Sequence, residues 1–268
     1  MGVKEQHLAL SSGISLAGHT VELFWDHGDE ALDTFKDEII ISVLKPNKKT
    51  AIHHYLSYFQ DIYEELHNLQ GNLELVYTYE YILRTIKDVN LNPNIPLIDE
   101  NLCENYCSHN KCENTVVIKE WIKYANANSE LINELIVHSA FQILLQDRNF
   151  LHDFHVKLAV IVEDEIENII STYPEFVTNK KKIKRQHFPV WLKSAIFYRD
   201  KGTCVICRCD LSNLVRNQNQ IHIDHIVPLN LYGTNDASNM QLLCESCNTS
   251  KGDRNTITSA LNVPFWNL

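Results

Sequence analysis

Apolar residues recur three and four positions apart through most of the first 172 positions and alternate in only one short stretch, so the chain reads as mainly α. From Asp29 onward Leu32, Phe35, Ile39, Ile40 and Val43 keep helical spacing until Pro46 and the basic turn Asn47-Lys48-Lys49 interrupt it. Residues 50–69 predict one helix whose face carries Ile52, Tyr55, Leu56, Phe59, Ile62, Tyr63, Leu66 and Leu69, with Gly71 as its stop. Residues 73–89 are apolar on more than one side, which predicts a buried helix, with a strand as the alternative. Residues 90–114 are a break marked by Pro93 and Pro96. Two or three long helices then fill 115–172 and end at Pro174, while residues 1–20 show little periodicity.

Residues 190–199 read as a further helix, with Trp191, Ala195, Ile196 and Tyr198 expected to pack on a hairpin formed by the next two strands. Residues 220–226 alternate as a strand does, with Ile221 and Ile223 on one side and His222 and Asp224 on the other, and 240–243 supply the second strand. Asp224 and His225 would point oppositely in a regular strand. A bend is therefore expected there, and Pro228 marks where regular pairing ends. The last helix starts near Cys244 or Cys247.

This short region concentrates the chemistry. Cys204 and Cys207, then Cys244 and Cys247, are two Cys-x2-Cys pairs in the spacing of paired zinc knuckles, which predicts a structural Zn2+ in a four-thiolate site. Between and beside them stand Asp224-His225, Asn239 and Asn248, a set suited to phosphodiester hydrolysis. The His225 imidazole titrates near neutral pH and suits a general base. Asp224 and the Asn248 amide offer hard oxygens to Mg2+ or Mn2+, and Asn239 would orient the imidazole by bonding it or its backbone surroundings.

The runs Asp224-His225-Ile226-Val227-Pro228 and Asn239-Met-Gln-Leu-Leu-Cys244-Glu-Ser-Cys247-Asn248-Thr-Ser-Lys251-Gly252, preceded by Cys204-Val-Ile-Cys207, resemble the zinc-stapled branch of the HNH endonucleases, over roughly residues 186–256. The resemblance implies a ββα-metal fold, His225 as base, Asp224 and Asn248 on a catalytic ion, Asn239 positioning the base, and DNA as substrate. It also suggests bacterial defence against phage. Two features depart from the family's pattern: Arg208-Cys209 follows the first pair, leaving Cys209 a spare thiol, and Gly233 stands alone where a Gly-Gly pair is frequent. A zinc-stabilised nucleic-acid-binding module without hydrolysis, or a nuclease acting on RNA, is the alternative.

Net charge sharpens the division. The chain carries −10 overall, yet residues 179–268 hold 12 Lys and Arg against 6 Asp and Glu. The excess of acid thus lies in residues 1–178, which would face away from nucleic acid, toward a protein partner or a second copy. The expected domains are an acidic helical part, 1–177, with a regulatory or partner-binding role, a basic linker, 178–187, and an HNH domain, 188–268. Lys180, Lys181, Lys182, Lys184 and Arg185 in the linker, with Lys251 and Arg254, are candidate phosphate contacts. No run approaches a membrane span and no signal-like start is present, which predicts a cytoplasmic protein with reduced thiols. Cys103, Cys107, His109 and Cys112 could hold a second zinc, although their spacing matches no familiar knuckle; free thiols are the alternative. His53-His54 reads as a surface or interfacial pair, and His222 as a rival to His225.

Overall fold

The computed structural model describes residues 12–259, apart from 73, 104–106, 108, 110 and 213–219. In chain order its elements are α1 (Gly13–Thr34), α2 (Lys36–Leu44), α3 (Ala51–Tyr58), α4 (Ile62–Asn72), α5 (Leu75–Asp88), α6 (Asn114–Ala127), α7 (Ser129–Leu144), α8 (Arg148–Asp164), α9 (Ile166–Thr172), α10 (Val190–Arg199), β1 (Ile221–His225), β2 (Met240–Cys244) and α11 (Glu245–Lys251). They fall into two compact units. One comprises residues up to Thr34 with Tyr55–Ile143; the other comprises Phe35–His54 with the chain from Leu144 onward. Among the described residues no helix is long and apolar enough to cross a membrane.

In the first unit Phe24, Tyr55 and Phe59 form an edge-to-face aromatic chain, with centroids 5.9 and 5.2 Å apart. Gly13 lets α1 approach α7 closely, since a Cβ there would sit 2.4 Å from that of Ser139. The single helix expected over 50–69 is two. Asp61 Oδ1 accepts the Tyr63 and Glu64 amides at 3.2 and 3.3 Å, and Asn133 Oδ1 accepts the Ile62 amide at 2.9 Å, so α4 begins afresh behind a polar cap. Helix α5 is amphipathic rather than buried all round: Tyr79, Ile82 and Ile86 are covered while Tyr77 is exposed.

In the second unit β1 and β2 pair antiparallel, Ile221 opposite Cys244 and His225 opposite Met240, as the alternation predicts. Helix α10 covers the hairpin with Leu192 and Ile196, which join Val205, Leu211, Met240, Leu242 and Leu243 in one apolar cluster. Trp191 is partly buried against it, but Tyr198 is 78% exposed and Ala195 is exposed too. At the end of α10 the buried Asp200 carboxylate accepts from Arg148, from Arg199 Nε at 2.8 Å and from the Leu242 amide at 2.8 Å. That carboxylate joins α8 and α10 to β2.

The basic segment after residue 177 is not an extended tether. Val177 and Ile183 bridge as in a hairpin and both are buried, with Lys181 at the turn in a left-handed conformation, φ 55°. His53 and His54 are likewise buried, at 7% and 8% exposure, rather than on the surface.

The loop from β1 to β2 is fixed by buried polar groups. Gly233 is forced by close approach, since a Cβ there would meet the Val227 carbonyl oxygen at 1.8 Å. Asp236 Oδ2 accepts the Ala51 amide at 2.7 Å and the Ser42 hydroxyl at 3.2 Å, and its Oδ1 accepts the Ser238 amide at 2.8 Å and the Ser238 hydroxyl. Because Ser238 gives its proton to Asp236, it accepts from His155 Nε2 on α8, 3.0 Å away. Burial, reinforced by the Arg199 charge, pushes the His155 imidazole down to about 3.

A histidine whose folded pKa is depressed stays neutral while the unfolded chain takes up a proton near its ordinary value of about 6.5. His155 therefore costs stability progressively as pH falls from about 6.5 toward 3, and nothing above that window. The His155→Gln variant, which keeps a donor for Ser238, should lose less stability than wild type between pH 7 and pH 4.5 in denaturant titrations. Equal losses would remove His155 as a source of acid sensitivity.

Candidate functional site

The two Cys-x2-Cys turns converge. Arg208 adopts φ 63° and its amide bonds the Cys204 carbonyl at 2.9 Å, closing the first turn, while Val205 N to Leu242 O at 3.0 Å docks that turn on β2. Cys244 ends β2 and caps α11, and its sulfur accepts the Cys247 amide at 3.5 Å. All four sulfurs lie within 4.8 Å of one another. Cys207 and Cys244 are 3.7 Å apart, against an edge of roughly 3.8 Å for a tetrahedron of thiolates about 2.3 Å from zinc. The residues present fit a zinc ion. Burial, with Cys207 and Cys244 nearby, pushes the spare Cys209 thiol up to about 12.

On the same hairpin an open cleft of ≈ 460 Å³ is lined by Asp224, His225 and Asn248, together with Arg185, Pro228 and Gly252. Asp224 and His225 both line this cleft although β1 pairs regularly through both, so the bend expected between them is not there and the chain bends only at 226–227; α11 brings Asn248 to the same cleft. His225 is 4% exposed, its ring 5.7 Å from that of Phe188. Its Nε2 lies 3.4 Å from Asn235 Oδ1.

The tautomer follows from Asn235. Its Nδ2 donates to Leu44 O at 3.0 Å and Lys184 O at 2.8 Å, so its Oδ1 must be the atom facing Gln186 N and His225. An acceptor opposite Nε2 puts the hydrogen on Nε2 and leaves the lone pair on Nδ1. Burial first, then the Arg185 charge, lowers the imidazole to about 4, while Asp224 opposes the shift; the ring is neutral at pH 7. A neutral imidazole with one bare nitrogen can accept a proton.

Residues 204–254 match the HNH endonuclease family model. The segment is an HNH domain. No curated protein and no solved structure matches the chain. The match ties this end of the chain to nuclease-type, nucleic-acid chemistry and supports its metal binding.

Within the HNH segment Asn239 bonds the backbone just beyond His225 rather than the imidazole, the second of the two arrangements expected for it. Its Oδ1 accepts the Val227 amide at 2.9 Å, and its Nδ2 donates to Val227 O at 3.0 Å and Thr234 O at 2.9 Å, so it holds the loop backbone beyond His225. The residue that does face the ring, Asn235, is one that sequence reasoning missed. No spacing rule picks it out, because its partners lie at positions 44, 184 and 186.

Lys251 departs from expectation. It is 6% exposed, and its ammonium sits 2.9 Å from Asp224 Oδ2 and 2.8 Å from the His225 carbonyl, which removes it from the phosphate-facing surface. Asp224 Oδ2 also accepts from Gln241 Nε2 at 3.3 Å. His222 does not line the cleft with Asp224; it sits opposite Leu243 in the ladder.

The basic candidates divide. Arg185 reaches the cleft, donating to Ile223 O at 3.2 Å with its guanidinium 5.3 Å from the centre of the Phe188 ring. Lys181 pairs with Glu167, Lys182 sits over the Tyr232 ring, and Lys184 donates to Glu175 O at 2.9 Å, so these three have partners within the chain. Lys180 is exposed, and so is Arg254, 3.9 Å from Asp253. In the first unit Cys103, Cys107, His109 and Cys112 also come together, their donor atoms within 4.8 Å of one another.

The Cys244→Ser variant should lose the HNH zinc and lower the melting temperature, because one residue serves as ligand, strand end and helix cap. Zinc content and thermal denaturation check this together; an unchanged melt would defeat the four-thiolate site.

Proposed function

We propose that this protein is a metal-dependent endonuclease that hydrolyses phosphodiester bonds in DNA, with one such site per chain. The observation that carries the reading is His225, its Nε2 facing Asn235 Oδ1, in a cleft that also holds Asp224, Asn248 and Arg185. In this reading Nδ1 of His225 takes the proton from the water that attacks phosphorus. Asn235 keeps the ring in that tautomer, and Asn239 keeps the loop that carries it.

The carboxylate of Asp224 and the amide oxygen of Asn248 form a hard-oxygen set on one cleft, which suits Mg2+ or Mn2+. Such an ion, when bound, supplies positive charge against the phosphate and the leaving oxygen. Arg185 is placed to bind a phosphate oxygen, and Lys180 and Arg254 to bind neighbouring phosphates without reading sequence. Lys251 anchors Asp224 and the end of β1 from behind. The acidic remainder of the chain has a regulatory or partner-binding role in a cytoplasmic nuclease, and defence against phage is the family analogy for such a fusion.

His225→Ala should abolish metal-dependent cleavage of supercoiled plasmid while leaving fold and zinc content intact. Asn235→Ala, which frees the ring without removing it, should cost about 10–100-fold, the usual range for groups that orient a site's ligands. Nicking assays with Mg2+, Mn2+ or EDTA on plasmid, single-stranded DNA and RNA measure both effects and the substrate class. Cleavage by His225→Ala at the wild-type rate would remove His225 as the base.

A further inference from the structure

The connection between α5 and α6, outside the HNH domain, gathers three thiols and an imidazole around one point. We propose that Cys103, Cys107, His109 and Cys112 form a second, structural zinc site of the Cys3His type. The proposal stands apart from the nuclease reading, since none of these residues belongs to the HNH segment.

Geometry carries it. The four donor atoms lie within 4.8 Å of one another, and the imidazole presents Nδ1 to two sulfurs, 3.4 Å from Cys103 and 3.2 Å from Cys112. Cys103 and Cys112 are 3.9 Å apart. Zinc at about 2.3 Å from sulfur and about 2.0 Å from nitrogen has tetrahedral edges of roughly 3.8 Å between sulfurs and 3.5 Å between sulfur and nitrogen. A four-iron iron–sulfur cluster puts each ligand on a different iron and a two-iron cluster splits four ligands between two irons, so either spreads its ligands further than four donors that all lie within 4.8 Å of one another. A disulfide would use two of these thiols and give the third thiol and the imidazole no reason to converge.

The surroundings suit a closed anionic site. Three thiolates and a neutral imidazole around a dication leave one net negative charge, which N–H donors stabilise. Asn114 Nδ2 donates to Cys103 Sγ at 2.9 Å, and the His109 amide to Cys107 Sγ at 3.4 Å. Asn114 also exchanges bonds with the backbone of Asp99, donating to its carbonyl at 2.8 Å and accepting its amide at 3.0 Å. His109 takes a left-handed backbone, φ 56°, and Thr115 donates its hydroxyl to the His109 carbonyl at 2.6 Å. With four protein ligands no position is open for substrate, so the ion staples the long connection between α5 and α6. Spacing alone left the site open because Cys-x3-Cys-x-His-x2-Cys is not a knuckle repeat; the left-handed turn at His109 is what closes it.

The test is zinc stoichiometry of the purified full chain after exhaustive dialysis. The expected value is about two zinc ions per chain, one for each closed four-ligand site. A Cys107→Ser, Cys112→Ser double variant should fall to about one, as should Cys244→Ser by loss of the other site. About one ion in wild type, unchanged in the double variant, would overturn the proposal. If the double variant fails to fold, alkylation of wild type decides. Cys103, Cys107 and Cys112 should resist a thiol reagent in the native protein and react once a chelator is added. Immediate reaction at all three with zinc still bound, or a disulfide found among them by intact mass, would overturn the site.

Discussion

Asp236 is the constraint on which the HNH end of the structure depends. It is a carboxylate fully out of water, and desolvation pushes its pKa up while bonds from Ser238, Ala51 and Ser42 pull it down. A buried acid is tolerated only when its oxygens are satisfied, and here both are. The donors come from three places in sequence: the loop itself, the end of α2 and the start of α3. His155 adds a fourth element through Ser238. The β1–β2 loop is thereby shaped by groups nearly two hundred residues away in the chain.

That arrangement explains how so small a ββα unit can hold a site. Five-residue strands and a seven-residue helix bury little on their own. One end is closed by the four cysteines, the other by Asp236 and Asn235, and α10 covers the face between with Leu192 and Ile196. Asp200, holding two buried arginines and the Leu242 amide, adds a charged tie at the middle of β2. Removing it would strand two guanidiniums in the interior, where an unpaired charge costs about 3–5 kcal/mol. Segment 35–54 and helix α8 thus belong to the machinery that places His225, although nothing in their sequence resembles a nuclease.

What the sequence disclosed and what it hid divide along one line. Features set by local spacing were readable: the clustering of four cysteines, the two strands, the face of α10 through Ile196, and the meeting of Asp224, His225 and Asn248 on one cleft. Features set by polar contacts at long range were not. Asn235 looks like any loop asparagine until its amide is seen to bridge residues 44 and 184. Lys251 sits one helical turn from Asn248, a position equally suited to phosphate or to the buried side of α11, and only packing decided for the latter. The break before α4 was hidden by an apolar face that runs unbroken from Ile52 to Leu66, while Asp61 and Asn133 supply the interruption.

The charges around the cleft act on the His225 ring. Lys251 and Arg185 both bear on His225, and both act with burial to keep its proton off. Arg185 faces the cavity and Lys251 does not, so an anion entering would meet one guanidinium at the rim and a neutral imidazole beside it. An anion bound at Arg185 would partly cancel that guanidinium's field on the ring and raise its proton affinity, while the lowering by burial would stay.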